Sequence, residues 1–284
     1  MGVLYVVATP IGNLEDITLR ALRVLRDAKL IAAEDTRTTA KLLARYDIRT
    51  PMVSFFEHNE LTRVKQVLGA LEADDVALVS EAGMPTISDP GYSLVQAAIA
   101  HGIRIVPIPG PSAVLAALAV SGLPTSSFLF IGFLPRRRAS RKRSLEAVCE
   151  YPETVICFEA PHRLVAALMD IEQVLGDRAI AVACELTKLY EGVWRGTVSE
   201  ALLHFREQRP RGEFTLVIAG AAEQEDLGWQ EDCVRQALDE LLEAGASRRD
   251  AATMVAKEAH WPRRDVYRIA AGCGREENEV AGHG

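Results

Sequence analysis

Apolar residues recur along the first part of the chain in two alternating rhythms. Short apolar runs stand at 3–8, 30–33, 52–55, 76–79 and 103–108. The segments 18–28, 36–46, 60–73 and 92–101 between them place apolar residues three and four positions apart. The first rhythm predicts strands and the second amphipathic helices. Strand–helix alternation at this pitch requires right-handed crossovers, hence a mostly parallel sheet. Asp16 or Thr18 marks the start of the first helix, and Asp89-Pro90 the start of the fourth. The run 109–124 reads as a further helix, opened by a Gly-Pro turn and closed by Gly-Leu-Pro.

A second unit follows. Strands are expected at 128–133, 154–158, 179–184, 192–197 and 214–219, with helices near 140–149, 161–175 and 198–206. The close spacing of the later strands predicts a mixed sheet with hairpins. An acidic linker, AAEQEDLGWQED, leads to three helical patterns at 230–244, 247–259 and 262–270. Gly245, a Ser247 cap and a short turn at 260–262 give the last two the layout of a helix-turn-helix. The predicted organisation is thus an α/β domain over 1–122, a second over 123–222 and a helical domain over 229–274.

Composition narrows the class. No stretch approaches the ~18–20 uninterrupted apolar residues of a membrane span. The apolar N-terminus lacks a basic lead and reads as a first strand, not a signal peptide. The five cysteines are scattered, without metal-ligand spacing, so reduced thiols, a cytoplasmic address and no structural metal are expected. The net charge of −7 conceals local asymmetry: residues 136–143 (RRRASRKR) carry six basic groups and no acid. Residues 223–243 carry eight acids against one arginine, while 247–268 are net basic. Local patches decide polyanion binding, so the overall sign does not exclude nucleic acid.

Three loops could carry chemistry. A-T-P-I-G-N follows the first strand but lacks G-x-G-x-x-G and the Walker lysine, which argues against pyrophosphate recognition. S-E-A-G-M-P-T-I-S-D-P-G follows the fourth strand and is long for a strand-to-helix connection. Ligands of open α/β sheets sit at the carboxyl ends of strands, so this loop is expected to bind one. Within it Asp89 is read as simply beginning the next helix. P-G-P-S-A follows the fifth strand, where capping alone would explain Ser112.

In this order the three loops resemble the tetrapyrrole methylase superfamily, and the resemblance covers essentially the whole chain. Four further blocks point to a branch acting on ribosomal RNA: AAEDTRTTAKLL at 32–43, SFFEHNE at 54–60, FEAPHRL at 158–164 and ELTKLYE at 185–191. The resemblance implies two α/β domains with a cofactor cleft between them, plus the C-terminal helical domain. It implies S-adenosylmethionine as cofactor, no metal, a homodimer, and methylation of a cytidine ribose 2′-hydroxyl in small ribosomal subunit RNA. The implied cofactor contacts are Pro10, Ser80, Ala82, Gly83, Met84, Ile87, Ser112 and Ala113, with Phe158, Glu159, Leu186 and Thr187 from the second domain. Glu81 and Met84 depart from the family pattern, which has Asp and Thr there.

A ribose hydroxyl is a poor nucleophile while protonated, so a base or strong acceptor is expected nearby. The candidates are Glu34, beside Asp35 at the end of the second strand, and Glu57 and His58 after the third. A helix-start acid pair explains Asp35, and a surface loop position would equally explain His58. Arg37, Arg163 and Lys188 are candidates for phosphates around the target. Arg136, Arg137, Arg138, Arg141, Lys142 and Arg143 are expected to form an RNA-backbone clamp, because like charges at this density repel unless a polyanion steadies them. Arg248, Arg249, Arg263 and Arg264 give the helix-turn-helix a basic face suited to RNA shape. A corrin or porphyrin methyltransferase is the runner-up, and a non-enzymatic nucleic-acid binder the third reading.

Overall fold

A computed structural model describes residues 1–56, 58–221, 229–259 and 261–272. Two compact units result, Met1–Ala221 and Ala222–Gly284. The larger holds two five-stranded sheets. The first is built from β1 (Val3–Val7), β2 (Leu30–Ala33), β3 (Met52–Ser54), β4 (Val76–Val79) and β5 (Arg104–Ile108), in the order β3-β2-β4-β1-β5. Every neighbouring pair is parallel. The central strand β4 is buried along its whole length, as an unbroken Val-Ala-Leu-Val run requires when both faces are covered.

The two faces are covered in chain order. Helices α1 (Leu19–Asp27) and α2 (Thr36–Arg45) pack Val24, Leu25, Leu42 and Leu43 onto one face. Helices α3 (Glu60–Leu71) and α4 (Tyr92–Ala100) pack Val67, Leu71, Leu94 and Ala98 onto the other. Adjacent β1 and β4 therefore lead to helices on opposite faces. The resulting crevice at their carboxyl ends is the place where open α/β sheets bind ligands.

The second sheet is mixed. It contains β6 (Phe128–Phe133), β7 (Thr154–Glu159), β8 (Ala179–Cys184), β9 (Gly192–Thr197) and β10 (Phe214–Ile218), ordered β6-β7-β10-β8-β9. Only the β6–β7 pair is parallel. Helices α6 (Arg138–Glu146), α7 (Leu164–Leu175) and α8 (Val198–Glu207) cover one face. The other face receives α5 (Ala113–Ser121), which leaves the end of β5 and buries Val114, Ala117 and Leu118 against Ile156, Ala181 and Val217 of the second sheet. At its far end Arg195 of β9 donates to the carbonyl oxygens of Val120 and Ser121.

Helix α6 starts at Arg138, two residues before the expected 140, and ends at Glu146. Arg138 and Arg141, one turn apart on this helix, both pair with Asp170 of α7. Helix α7 is preceded by a turn of 3-10 helix at Pro161–Arg163, which apolar spacing does not distinguish from α-helix.

The smaller unit has three helices among its described residues, α9 (Glu231–Glu243), α10 (Arg248–Glu258) and α11 (Arg263–Gly272). Val234, Leu238, Ala252, Val255 and Val266 form its core. Ser247 caps α10 by accepting from the Asp250 N–H, and its hydroxyl donates to the Asp250 carboxylate at 2.7 Å. His260, in the expected turn between α10 and α11, lies outside the described residues.

Candidate active site

The first sheet's site begins with a backbone link between two loops. Thr9 and Gly83 exchange N–H···O bonds of 2.9 and 3.0 Å, joining the loop after β1 to the loop after β4 as a one-residue antiparallel bridge. Gly83 has φ +77, a conformation that favours glycine. Ser80 lies beneath, with its hydroxyl aimed at the carbonyls of Ala82 and Gly83, and Thr9 Oγ1 donates to the Ser80 carbonyl. The loop after β1 also meets the second half of the chain. A side chain on Gly12 would stand 2.5 Å from Lys188 Cγ and 2.7 Å from Thr187 Oγ1, so only glycine fits there. The Asn13 N–H donates to Thr187 Oγ1 at 3.0 Å.

These contacts enclose a cavity of about 510 Å³ between the carboxyl end of the first sheet and the second sheet. Pro10, Ala82, Gly83, Met84, Ile87, Ser112 and Ala113 line it from the first half, and Phe158, Glu159 and Leu186 from the second. Ser80 and Thr187, expected among them, are loop-organising groups here: one is buried under the Ala82–Gly83 turn and the other is engaged by Asn13. Ser112 both caps α5, accepting from the Leu115 N–H, and lines the cavity. The apolar wall includes Phe133 and Phe158, whose rings lie 5.2 Å apart. Phe133 and Ile87 are more than half and about half exposed, which marks them as contact surface.

The polar lining is acidic. Glu34, Glu81, Asp89, Glu159 and Glu213 stand against the single lysine Lys188. Glu34 Oε2 accepts from the Glu81 N–H at 3.0 Å, and Thr38 Oγ1 donates to Glu81 Oε1. Burial raises the Glu34 carboxyl above its ordinary range, opposed by that N–H and reinforced by the charges of Glu81 and Asp35. Burial, with the charge of Glu34 next, pushes Asp89 up to about 7 against the opposing Ser80 hydrogen bond.

The sequence places Asp89 at the start of α4, but it does not cap that helix. Gly91 occupies the N-cap position without a side-chain bond. Glu60, at the start of α3, braces the entry to the helix, accepting from the Gly91 N–H at 3.1 Å and the Ser93 hydroxyl at 2.6 Å. Asp89 instead lines the cavity. Its place in a sharp Asp-Pro-Gly turn three residues before the helix is the signal for this. Asp35, by contrast, does cap α2, accepting from the N–H groups of Arg37 and Thr38, and the Arg37 guanidinium and N–H hold its carboxyl down at about 2.

Of the expected bases, Glu34 lines the cavity, whereas His58 is exposed, with its ring edge-on to Phe56 and outside the lining. Glu57 lies outside the described residues. The expected cations divide in a similar way. Arg136, Arg137 and Arg143 are exposed, and Lys142 bonds Gln173. Arg141 is buried, with Nε and Nη2 bonded to one Asp170 oxygen at 2.9 and 2.6 Å, so it is a packing ion and cannot clamp RNA. Arg138 pairs with the other Asp170 oxygen from a largely exposed position. Arg163 is engaged by Glu159 at 2.5 Å and by the Leu134 carbonyl. Lys188 bridges Glu185 and Glu213 at 3.1 Å each, and although burial alone would lower its amine, these partners hold it above its ordinary value. Arg37 remains exposed beside Asp35. In the smaller unit Arg248, Arg249, Arg263 and Arg264 lie on the surface.

The family model of the Tetrapyrrole (Corrin/Porphyrin) Methylases matches residues 3–202. The chain belongs to this family. As a tetrapyrrole methylase it is 47% identical over 272 residues to the ribosomal RNA small subunit methyltransferase I of Halalkalibacterium halodurans, covering 94% of each chain. The protein of the same name from Synechocystis sp. is 46% identical, over 95% of this chain and 98% of its own. The Bacillus subtilis protein of that name is 43% identical, over 94% and 93%. Among solved structures, a cobalt precorrin-4 methyltransferase matches 76% of this tetrapyrrole methylase and 94% of its own chain, with TM-score 0.60 and 18% identity. A diphthine synthase matches 77% and 90%, with TM-score 0.58 and 12% identity. At that identity the structural likeness carries the fold alone.

Proposed function

We propose that this tetrapyrrole methylase transfers a methyl group from S-adenosylmethionine to the ribose 2′-hydroxyl of a cytidine in small-subunit ribosomal RNA. The observation that carries the reading is the acid-lined cavity at the β1/β4 crevice, in a chain that matches ribosomal RNA small subunit methyltransferase I proteins over more than nine-tenths of its length.

The residues present fit that cofactor. A cavity of about 510 Å³ is within the range used for small-molecule sites. Its carboxylates suit a ligand carrying a sulfonium and an ammonium, and the Phe133–Phe158 wall suits a flat ring. Backbone at Ala82 and Gly83 would hold the ligand, with Pro10, Met84 and Ile87 on one side and Ser112 and Ala113 on another. When bound, S-adenosylmethionine supplies a methyl group already activated for transfer, so the protein's work is mainly alignment. Glu34, Glu81 and Asp89 favour a cationic donor over its neutral thioether product. The exposed Arg136, Arg137 and Arg143 of the larger unit, and the basic surface of α10 and α11 in the smaller, supply sequence-independent attraction to RNA phosphates.

The test is transfer of tritium from labelled S-adenosylmethionine to small ribosomal subunits lacking the modification, beside free RNA and a porphyrinogen, with nuclease digestion to locate the label. Label on one cytidine ribose is the expected result. Transfer to a porphyrinogen carbon, with none to RNA, would overturn the substrate while keeping the cofactor.

A further inference from the structure

Helices α1 and α2 cover the same face of the first sheet, and their outward surface is strongly basic. Residues 19–49 carry eight Lys and Arg against four Asp and Glu, in a chain whose net charge is −7. Ala21, Val24, Leu25, Leu42 and Leu43 take the inward positions, which leaves all eight cations exposed. Two of them are matched by a carboxylate, Arg37 by Asp35 and Arg49 by Asp47. Among the described residues the other six, Arg20, Arg23, Arg26, Lys29, Lys41 and Arg45, form no ion pair with an acid.

Several of these cations are aimed by uncharged partners. Arg20 Nη2 donates to the Pro107 carbonyl at 2.9 Å and Arg26 Nη2 to the Tyr46 carbonyl at 3.4 Å. The Arg45 guanidinium lies over the Tyr46 ring, 5.8 Å from its centroid. A carbonyl or a ring face orients a guanidinium without cancelling its charge, as a carboxylate would. On α2, Arg37, Lys41 and Arg45 recur every four residues and form one ridge, with steps of about 6 Å along the axis. The ridge starts at the cavity, because Thr38 lines it. On the α1 side Leu14 lines it too, and its carbonyl accepts from the Tyr46 hydroxyl at 2.8 Å. The run at 136–143 differs, since Asp170 there takes up Arg138 and Arg141.

We propose that the outward surface of α1 and α2 is a phosphate track for the RNA strand that carries the methyl acceptor, leading along the Lys41–Arg45 ridge to the rim of the cavity. The inference rests on the RNA methyl-transfer reading above. Oriented like charges at this density repel one another, and a polyanion laid across them relieves the repulsion. The remaining exposed residues of α2 are Ala40 and Ala44. The ridge is therefore smooth and charged, without the large apolar or aromatic anchor on which protein interfaces depend. Contacts to phosphates fix the register of a strand and carry no sequence information. The track thus positions the strand, while the cavity selects the nucleotide.

The experiment compares the full-length wild type with Arg23→Gln/Lys41→Gln/Arg45→Gln. A charge-matched control, Lys65→Gln/Arg206→Gln/Arg209→Gln, removes three exposed cations, none of them on α1 or α2. Filter binding to naked small-subunit RNA and to small subunits is followed across salt, with calorimetric binding of S-adenosylhomocysteine in parallel. The first variant should flatten the log–log salt slope by about 2–3 and bind RNA at least ~10-fold more weakly at moderate salt. It should hold S-adenosylhomocysteine within about twofold of wild type, and the control should keep the wild-type slope. On the wild type, RNA should shield Lys41 from acetylation and leave Lys65 reactive. A slope that does not change, or one that the control flattens equally, would overturn the track. Weaker binding to subunits with unchanged binding to naked RNA would assign the surface to an acidic ribosomal protein, and would also overturn it. A wild type that shows the expected slopes but transfers no label would sink the methyl-transfer reading and leave the track standing.

Discussion

Replacing Asp170 by alanine tests how much of the RRRASRKR run is structure. The Asp170 side chain is 1% exposed and that of Arg141 is 6%, and three charge-assisted bonds of 2.6–2.9 Å hold the cluster together. Burial alone would raise the Asp170 carboxyl, but the hydrogen bonds from Arg138 and Arg141 outweigh it and hold it below the usual range. Without Asp170, the bonds left to the Arg141 guanidinium among the described residues are those of 3.4 Å to the carbonyls of Pro135 and Arg136. An orphaned buried charge of this kind costs about 3–5 kcal/mol. At roughly 2–4 °C per kcal/mol for a unit of this size, Asp170→Ala should lower Tm by about 6–20 °C. Arg138→Ala, at a side chain 64% exposed, should cost under about 1 kcal/mol. The double variant Arg141→Met/Asp170→Leu removes both buried charges and should recover most of the loss. Thermal melts of the four proteins separate the cost of the orphaned buried charge from that of the exposed ion pair. Asp170→Ala melting within 2 °C of wild type (about 1 kcal/mol or less) would refute the reasoning, as would a double variant no better than the single.

The same geometry fixes three further outcomes. Ionised Asp89 costs the folded state more than the unfolded chain, so stability should fall as pH rises from about 4 to about 7 and stay level above. A shift from 3.8 to about 7 corresponds to about 4 kcal/mol, and remaining solvent contact cuts this to roughly 1–2. Asp89→Asn should therefore melt a few degrees above wild type at pH 8 and match it at pH 4. Gly12→Ala, whose methyl would meet Lys188 Cγ and the Leu186 carbonyl, should part the β1 loop from residues 186–188. Equilibrium dialysis should show S-adenosylmethionine affinity reduced about tenfold or more, in line with a loss of about 1.4 kcal/mol. Neutralising Arg136, Arg137 and Arg143 together should flatten the log–log salt dependence of RNA binding by about 0.7–0.9 for each phosphate no longer neutralised. Arg141→Met/Asp170→Leu should leave that slope unchanged, in filter-binding titrations between low and moderate salt.

Much of this architecture can be read from the chain. The strands of the first sheet are short apolar runs whose period is unambiguous, and the carboxyl-end rule then selects the loops after β1, β4 and β5. Arg141 escapes such a reading when charge density is weighed without helical phase. Arg138, Arg141, Leu145 and Val148 fall at spacings of three and four, the period of one buried face, and that phase identifies Arg141 as interior. Asp89 escapes for the opposite reason: a local capping rule fails where the N-cap is Gly91 and a residue some thirty positions earlier, Glu60, braces the helix entry. No local pattern announces such a long-range contact. The carboxylate cluster has the same origin, because Glu34, Glu81 and Asp89 meet only when β2 and β4 pair.

Helix α5 has a mechanical consequence. Its first turn supplies a lip of the cavity, while its body is seated under the second sheet and tethered at the far end by Arg195. The helix acts as a rigid strut between the two halves. A swing of one sheet away from the other would drag Ser112 and Ala113 with it and distort the pocket rather than open it. The two sheets are thereby coupled at the lip of the cavity, where the strut's first turn carries Ser112 and Ala113.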